Sequence, residues 1–335
     1  MNKRNWSFIA IIFIVLGFVG MAYQEFEFGD DLPSYNHKWV FDEGEFKSLV
    51  ADSDYDIDLK FIDSPDGTDY IEMSGNMEQD NIDKLQQVTL SNGTLNLPLE
   101  KKFRMSFLSI NFQSERQHIT VALSKEKSLD SILIDLSANN GGFQDLRSQN
   151  VEITASSGNI EVDSIKAEAV KLHASSGNIT ANQVQGDTDA KVTSGNIKVN
   201  TLTGSLAART TSGDIKVNDL TGPLSTHATS GNITVNKVQG NVDASGSSGN
   251  LKFIDFTGSG KFKLTSGNIT LMDQRSDSLD ISVSSGNVTL SKDPEFQGFY
   301  DLKTTSGNIS SPESPQITKD IIKIRATSGN IKIKD

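Results

Sequence analysis

Over most of its length this chain alternates apolar and polar residues with a period of two, and the same tripeptide interrupts the alternation at regular intervals. Ser-Gly-Asn recurs at Gly158, Gly177, Gly195, Gly231, Gly249, Gly267, Gly286, Gly307 and Gly329, and Gly213 is followed by Asp214 instead. Successive spacings are 19, 18, 18, 18, 18, 18, 19, 21 and 22 residues. Before each Gly, alternate positions are apolar or small, as in Val151, Ile153 and Ala155 or Leu279, Ile281 and Val283. That pattern marks a strand with one buried face. After the Gly the apolar side chains return at alternate positions, as in Ile160 and Val162 or Ile215 and Val217, which marks a second strand. A second turn, often carrying Gly (Gly186, Gly204, Gly222, Gly240, Gly258), closes the unit.

One unit is therefore strand, bend, strand, turn. Alone it cannot bury its apolar face; stacked on its copies it can. The predicted fold is all-β: a parallel β-solenoid, β-helix-like, of about ten coils of 18–22 residues over residues 136–335. At the usual inter-strand spacing ten coils make a rod of about 48 Å. The ten repeat glycines are expected to be structural bends, because Gly tolerates positive φ. In register, the Asn after each Gly predicts a ladder of amide hydrogen bonds. Asp214 interrupts it once, with a carboxylate that can still accept backbone bonds. An antiparallel sandwich is the alternative, but it does not require the same bend every 18 residues.

Upstream, residues 24–40 read as an acidic spacer and residues 41–135 as an N-terminal β cap over the first coil. Strands are expected at 56–62, 70–73, 87–90, 94–97, 119–123 and 131–136, with hairpin signals at Pro65-Asp66-Gly67 and Asn92-Gly93. No helical pattern is evident in this part. At the opposite end, Lys323, Arg325, Lys332 and Lys334 are expected to blunt the last sheet edge by charge.

The N-terminus supplies an address. Trp6 to Tyr23 is a run of 18 uncharged residues, which as a helix spans roughly 27 Å, close to the hydrocarbon thickness of a bilayer. Lys3 and Arg4 precede it; Glu25, Glu27, Asp30 and Asp31 follow. The positive-inside bias gives residues 1–5 to the cytoplasm, residues 6–23 to a single transmembrane signal anchor, and the bulk of the chain to the extracytoplasmic side of the cell membrane. Gly20-Met21-Ala22 also fits a signal-peptide cleavage site. Either way the rest is exported.

Charge and composition narrow the function classes. The net charge is −12, and it is concentrated upstream: 22 acidic against 10 basic residues over 24–130, then 21 against 19 over 131–335. No basic patch suited to nucleic acid is present. There is no Cys, so disulfides, thiolate metal sites and a Cys nucleophile are excluded. Asp52, Asp54, Asp56 and Asp58 partly imitate a calcium loop, but Ile57 stands where that loop needs Gly, and an exposed acidic strand face is the better reading. No cofactor is expected. Four positions before five of the repeat glycines stand His173, Lys191, Arg209, His227 and Lys263, an outward basic stripe that is either solvated surface or a contact for an anionic envelope polymer. A polysaccharide-cleaving enzyme would need acids gathered on adjacent coils. The decoration is uniform instead, so no catalytic residue is expected.

The Ser-Gly-Asn-Ile repeat downstream of Ile119-Thr-Val-Ala-Leu-Ser, together with the N-terminal apolar run, resembles the bacterial "putative adhesin" family of β-strand-repeat proteins of unknown function. It also resembles the membrane-anchored LiaG-like members encoded with envelope-stress systems. The resemblance covers roughly residues 41–335. It implies a surface location and no established catalytic residues. The expected function is a non-enzymatic envelope protein, an adhesin or scaffold. An accessory or regulator of envelope-stress signalling is the first alternative, and a carbohydrate-active β-helix enzyme the second. Expected partners are the membrane, through the single span, and an envelope polymer, a glycan or a membrane signalling protein.

Overall fold

A computed structural model describes residues 32–101, 115–276 and 278–334. The expected membrane span at 6–23 lies outside the described residues. Among the described residues no helix is long and apolar enough to cross a membrane. The chain winds into a parallel β-solenoid of about 11 turns. Each coil has two sides. The strand before the repeat Gly joins a front sheet and the strand after it joins a back sheet. In the front sheet Val170 lies between Val151 and Thr188, and Leu206 between Thr188 and Leu224. In the back sheet Ile179, Ile197, Ile215 and Ile233 stack in one column.

Equivalent residues stack because each coil is hydrogen-bonded to the next through its backbone, and this brings the bends close together. The Gly195 N–H donates to Ser212 O at 2.9 Å and the Gly213 N–H to Ser230 O at 3.0 Å. Nine of the ten repeat glycines, all but Gly158, have φ between +127° and +147°. A Cβ on Gly213 would collide with the carbonyl oxygen of Gly195, and the same holds from coil to coil. The second turn repeats this geometry: Gly186, Gly204, Gly222, Gly240 and Gly258 have φ from +133° to +154°.

Side-chain ladders run beside the bends. The Asn178 Oδ1 accepts from the Asn196 backbone N–H at 3.0 Å and from its Nδ2 at 3.2 Å, a pair of bonds repeated in most coils. Asp214 does not break the chain of acceptors: its Oδ1 accepts the Asn232 N–H at 2.7 Å and Nδ2 at 3.2 Å. Only the amide donation from position 214 to Asn196 is lost. A second ladder, absent from the sequence reading, links Asn182, Asn200, Asn218 and Asn236 on the back side. At the second turn, the Ser205 N–H and hydroxyl hold the Asp187 carboxyl below its usual pKa.

Apolar side chains fill the narrow space between the sheets, and their sizes compensate. Ala190, Ala208 and Ala244 line part of the front sheet where Ile and Val face them; Phe262 then enters against Phe253 and Phe256, edge to face at 5.0 and 5.9 Å. There is room for it because position 260 is Gly, where a Cβ would run into the Phe262 ring. Thr188, Thr210 and Thr226 are also buried; the Thr188 hydroxyl donates to Gly186 O at 3.1 Å and that of Thr210 to Gly195 O at 3.3 Å.

The region upstream of the repeats departs from the expected division. It contains β1 (Ser34–Phe41), β2 (Ser48–Ser53), β3 (Ile57–Asp63), β4 (Asp69–Asn76), α1 (Gln79–Leu85), β5 (Thr94–Leu99), β6 (Gln117–Leu123), β7 (Leu129–Asp135) and β8 (Gly141–Gln144). The expected spacer at 24–40 thus includes most of a strand. Much of the expected cap at 41–135 is solenoid: β2 pairs in parallel with β5 and β7, and β3 with β6 and β8. The cap proper is smaller. It consists of β4 and β1, added antiparallel beyond β6, and α1, which buries Ile82 and Leu85. At seven residues the helix is too short to show a helical period. Segment 87–90 is not a strand; the Trp39 indole N–H donates to Val88 O at 3.1 Å and holds it over the end. Asn92-Gly93 makes the expected tight turn, closed by reciprocal Ser91–Thr94 bonds of 2.9 Å. Pro65-Asp66-Gly67 does not close a hairpin, because β3 and β4 flank β6 on opposite sides.

The other end also differs. The strand Ile321–Ser328 lies between Ser278–Ser285 and Phe299–Ser306, and Ile331–Lys334 lies between Val288–Ser291 and Ile309–Ser310. The Gly329 coil is therefore inserted between the Gly286 and Gly307 coils. Lys323, Arg325, Lys332 and Lys334 do not guard the last edge, because their coil is internal: Lys323 pairs with Asp280 at 3.6 Å, and Arg325 pairs with Asp301. The outermost coil is the one with Gly307.

Two outcomes are expected. Gly213→Ala should destabilise the fold by at least about 3 kcal/mol, from backbone strain plus overpacking. Gly67→Ala, at φ +81° with nothing within 4 Å, should cost about 1–2 kcal/mol. Chemical denaturation distinguishes them, and equal losses would contradict the close-approach argument. Asp214→Asn should stabilise by about 0.5 kcal/mol by restoring one amide donor, read as a higher denaturation midpoint at unchanged slope.

Candidate functional site

The front sheet presents three outward columns. Its alternate residues point to solvent, and stacking turns each position into a line of like groups roughly 4.8 Å apart. One column holds Ser or Thr, including Thr193, Thr211, Thr229 and Thr265, all exposed. The next holds the basic stripe. The third mixes signs: Glu152, Lys171, Asp189, Ala207, Ser225, Asp243, in register coil after coil.

All five stripe residues named from the sequence share one column. His173 pairs in register with Lys191, Lys191 with Arg209, Arg209 with His227, His227 with Ser245, and Ser245 with Lys263. Their charge is not uniform. Asp189, in the neighbouring column, lies 3.1 Å from Arg209 Nη1 and 3.5 Å from His173 Nε2. Burial nevertheless pushes the His173 imidazole below its ordinary 6.5; Asp189 opposes that shift, while Lys171 and Lys191 reinforce it. His173 is therefore uncharged at neutral pH. His227 places Nδ1 2.9 Å from the Ser245 hydroxyl. Three coils, roughly 14 Å, separate the two histidines, far beyond a shared metal. Further along the column follow Ser282, Arg325 and Lys303, in that order because the Gly329 coil is inserted.

Sequence reasoning missed a groove. Where the front sheet meets the second turn, two open depressions of about 580 and 630 Å³ adjoin, sharing Ser205 and Ala207. Together they run from Ser131 to Asp280 along the rod. Small residues at the turn leave the space, and the mixed-charge column forms one wall. Only the stacking of the coils makes these short side chains continuous, so no local motif announces the groove.

Two members of the acidic run near the N-terminal end, Asp56 and Asp58, are engaged in ion pairs. Arg116 bridges Asp56 at 3.1 Å and Asp58 at 2.6 Å, and the Asn140 N–H donates to Asp56 at 2.8 Å. Burial, then Asp135, Glu100 and Asp54, raises the Asp52 pKa. Among the described residues no cluster of three or more His, Cys, Asp or Glu side chains is arranged to hold a metal ion.

No curated protein matches the chain. Its fold is similar to several solved structures. A "putative adhesin" from Bacteroides fragilis is 18% identical, with 69% of this chain and 97% of that one covered and a TM-score of 0.37. A "putative lipid binding protein" from Parabacteroides distasonis is 15% identical, with 91% and 99% covered and a TM-score of 0.33. A "putative adhesin" from Parabacteroides merdae is 15% identical, with 89% and 96% covered and a TM-score of 0.30. Over residues 46–254 and 242–334 the sequence matches the Toastrack DUF4097 family, and the chain belongs to it.

Proposed function

We propose that this protein is a non-enzymatic envelope scaffold, held at the cell membrane by residues 6–23, which binds an extended polymer along its front face outside the cell. The observation that carries the reading is the groove from Ser131 to Asp280, open along its length and lined by the mixed-charge column and by hydroxyls such as Ser205, Ser225 and Ser259, with the basic column next to it on the front sheet. A small substrate would need an enclosed pocket with convergent polar groups. A long open groove with a repeating wall suits a chain that repeats too. Hydroxyl and mixed-charge lining points to a glycan or an anionic envelope polymer. Each contact is weak, and the affinity comes from their number. An adhesin role rests on this same surface.

The test is co-sedimentation of the full chain with isolated cell-envelope polymer. Replacing Lys191, Arg209 and Lys263 together by Gln should lower retention roughly tenfold at low salt, the difference shrinking as salt rises. Ala207→Trp, which fills the groove where its two halves meet, should also lower retention while leaving the thermal midpoint within a few degrees. Unchanged retention in both variants would overturn the reading.

His173 supplies a pH test. Its folded-state pKa lies below 6.5, so the unfolded chain takes up a proton first as pH falls. Its contribution to stability is intact above 6.5 and is lost as pH drops from there through the depressed folded value. His173→Gln should make the melting temperature less sensitive to acidification in that window. An identical slope in the two proteins would exclude the effect.

A further inference from the structure

Two depressions lie between the basic and hydroxyl columns of the front sheet, and they differ in charge. The first, of about 300 Å³, is bordered by Asp135, His173 and Lys191. His173 is uncharged there, so one ammonium faces one carboxylate. The second, of about 240 Å³, lies toward the other end of the rod. Lys263, Arg325 and Lys303 border it on one side and Ser284, Thr327 and Thr305 on the other, and no carboxylate lines it. Its floor, at Val283 and Ala326, is buried and apolar.

Stacking builds this cluster. Lys263 pairs in register with Ser282, Ser282 with Arg325, and Arg325 with Lys303. In the neighbouring column Lys261, Asp280, Lys323 and Asp301 follow the same register. Over these four coils the two columns set five cations against two carboxylates, in a chain whose net charge is −12. Both carboxylates are engaged, Asp280 by Lys323 at 3.6 Å and Asp301 by Arg325. Lys263 and Lys303 make no ion pair among the described residues. Arg325 is held in place: Nη1 donates to the carbonyl oxygens of Asp301 at 2.7 Å and Ile324 at 3.1 Å, and Nη2 donates to the Asp301 carboxylate. A guanidinium has five N–H donors, so at least two remain for a ligand.

We propose that this depression is a binding site for a phosphate group. Cations gathered in one column repel one another, and an anion carrying more than one charge relieves that repulsion. The Arg325 fork suits the geometry of a tetrahedral oxyanion. Lys263 and Lys303 bring mobile point charges from the two ends of the depression, and the hydroxyls of Ser282, Ser284 and Thr327 donate to the remaining oxygens. The site lies outside the groove and does not depend on a polymer running along it. Free phosphate and a unit of a phosphodiester polymer offer the same chemistry, and they are separated by experiment.

The test is isothermal titration of the full chain, in mild detergent and at constant ionic strength. Inorganic phosphate is one ligand and a glycerol phosphodiester oligomer the other. Saturable binding is expected; binding of the oligomer assigns the site to a polymer, and binding of inorganic phosphate alone assigns it to the free anion. R325Q should weaken binding roughly tenfold, and K303Q about threefold. R325K keeps the charge but loses the fork, and should fall between R325Q and the parent. K216Q removes an exposed lysine from the back sheet and should bind as the parent does. Circular dichroism and the melting temperature verify folding. If R325Q melts early, K303Q decides, because the Lys303 side chain makes no ion pair among the described residues. None of these substitutions touches the groove or the residues of its test. Absence of saturable binding of either ligand would overturn the proposal. So would parental affinity in both R325Q and K303Q, or a loss in K216Q as large as theirs.

Discussion

The structure depends on the distance between one coil and the next. Backbone hydrogen bonds hold successive strands about 4.8 Å apart. At the bends the same spacing brings the carbonyl of one glycine to where a Cβ of the next would stand. A side chain there would force coils apart over the whole width of the sheet. Glycine in every coil is therefore a condition of stacking, and stacking is the only way the thin apolar interior is kept from water. The Asn ladders, the buried threonines and the size matching around Phe262 operate inside the frame that this spacing sets.

The same frame decides what the surface can be. Outward residues have no local arrangement of their own; each is one rung in a column. A basic column, a hydroxyl column and a groove result from positions that in a single repeat are unremarkable. Charge is then tuned by neighbours across columns, as Asp189 does between His173 and Arg209. Recognition on such a face is additive along the rod. That suits long ligands, and it explains why no single side chain stands out.

The repeat was legible because its signals are local and repeated. The alternating apolar positions, the glycines and the Asn after each of them fixed the coils, the columns and one ladder. Four features were not legible, each for a physical reason. The helix Gln79–Leu85 is shorter than the stretch over which a helical period shows. The second ladder runs only from Asp163 to Asn236, too few rungs to stand out beside the main repeat. The first strands, β2, β3, β5 and β6, lack the Ser-Gly-Asn bend and so read as a separate cap, although their backbones pair in the same parallel register. The order of the outer coils depends on which edge a strand meets, and alternation alone carries no information about that. In the site, the stripe could be read from spacing, whereas the groove required the stacked shape.

Both ends of the rod share an arrangement with a kinetic consequence. The β2–β3 coil comes before the β5–β6 coil in the chain yet lies inside it; the Gly329 coil comes after the Gly307 coil and also lies inside it. A polypeptide that wound strictly in order of synthesis would first lay the Gly307 segment directly on the Gly286 coil, where its strands could also pair. To reach the native order that docking must open again and admit a latecomer. Conversely, once the latecomer is gripped on both sides, the rod cannot unwind coil by coil from its outer face without releasing a loop tethered at both ends.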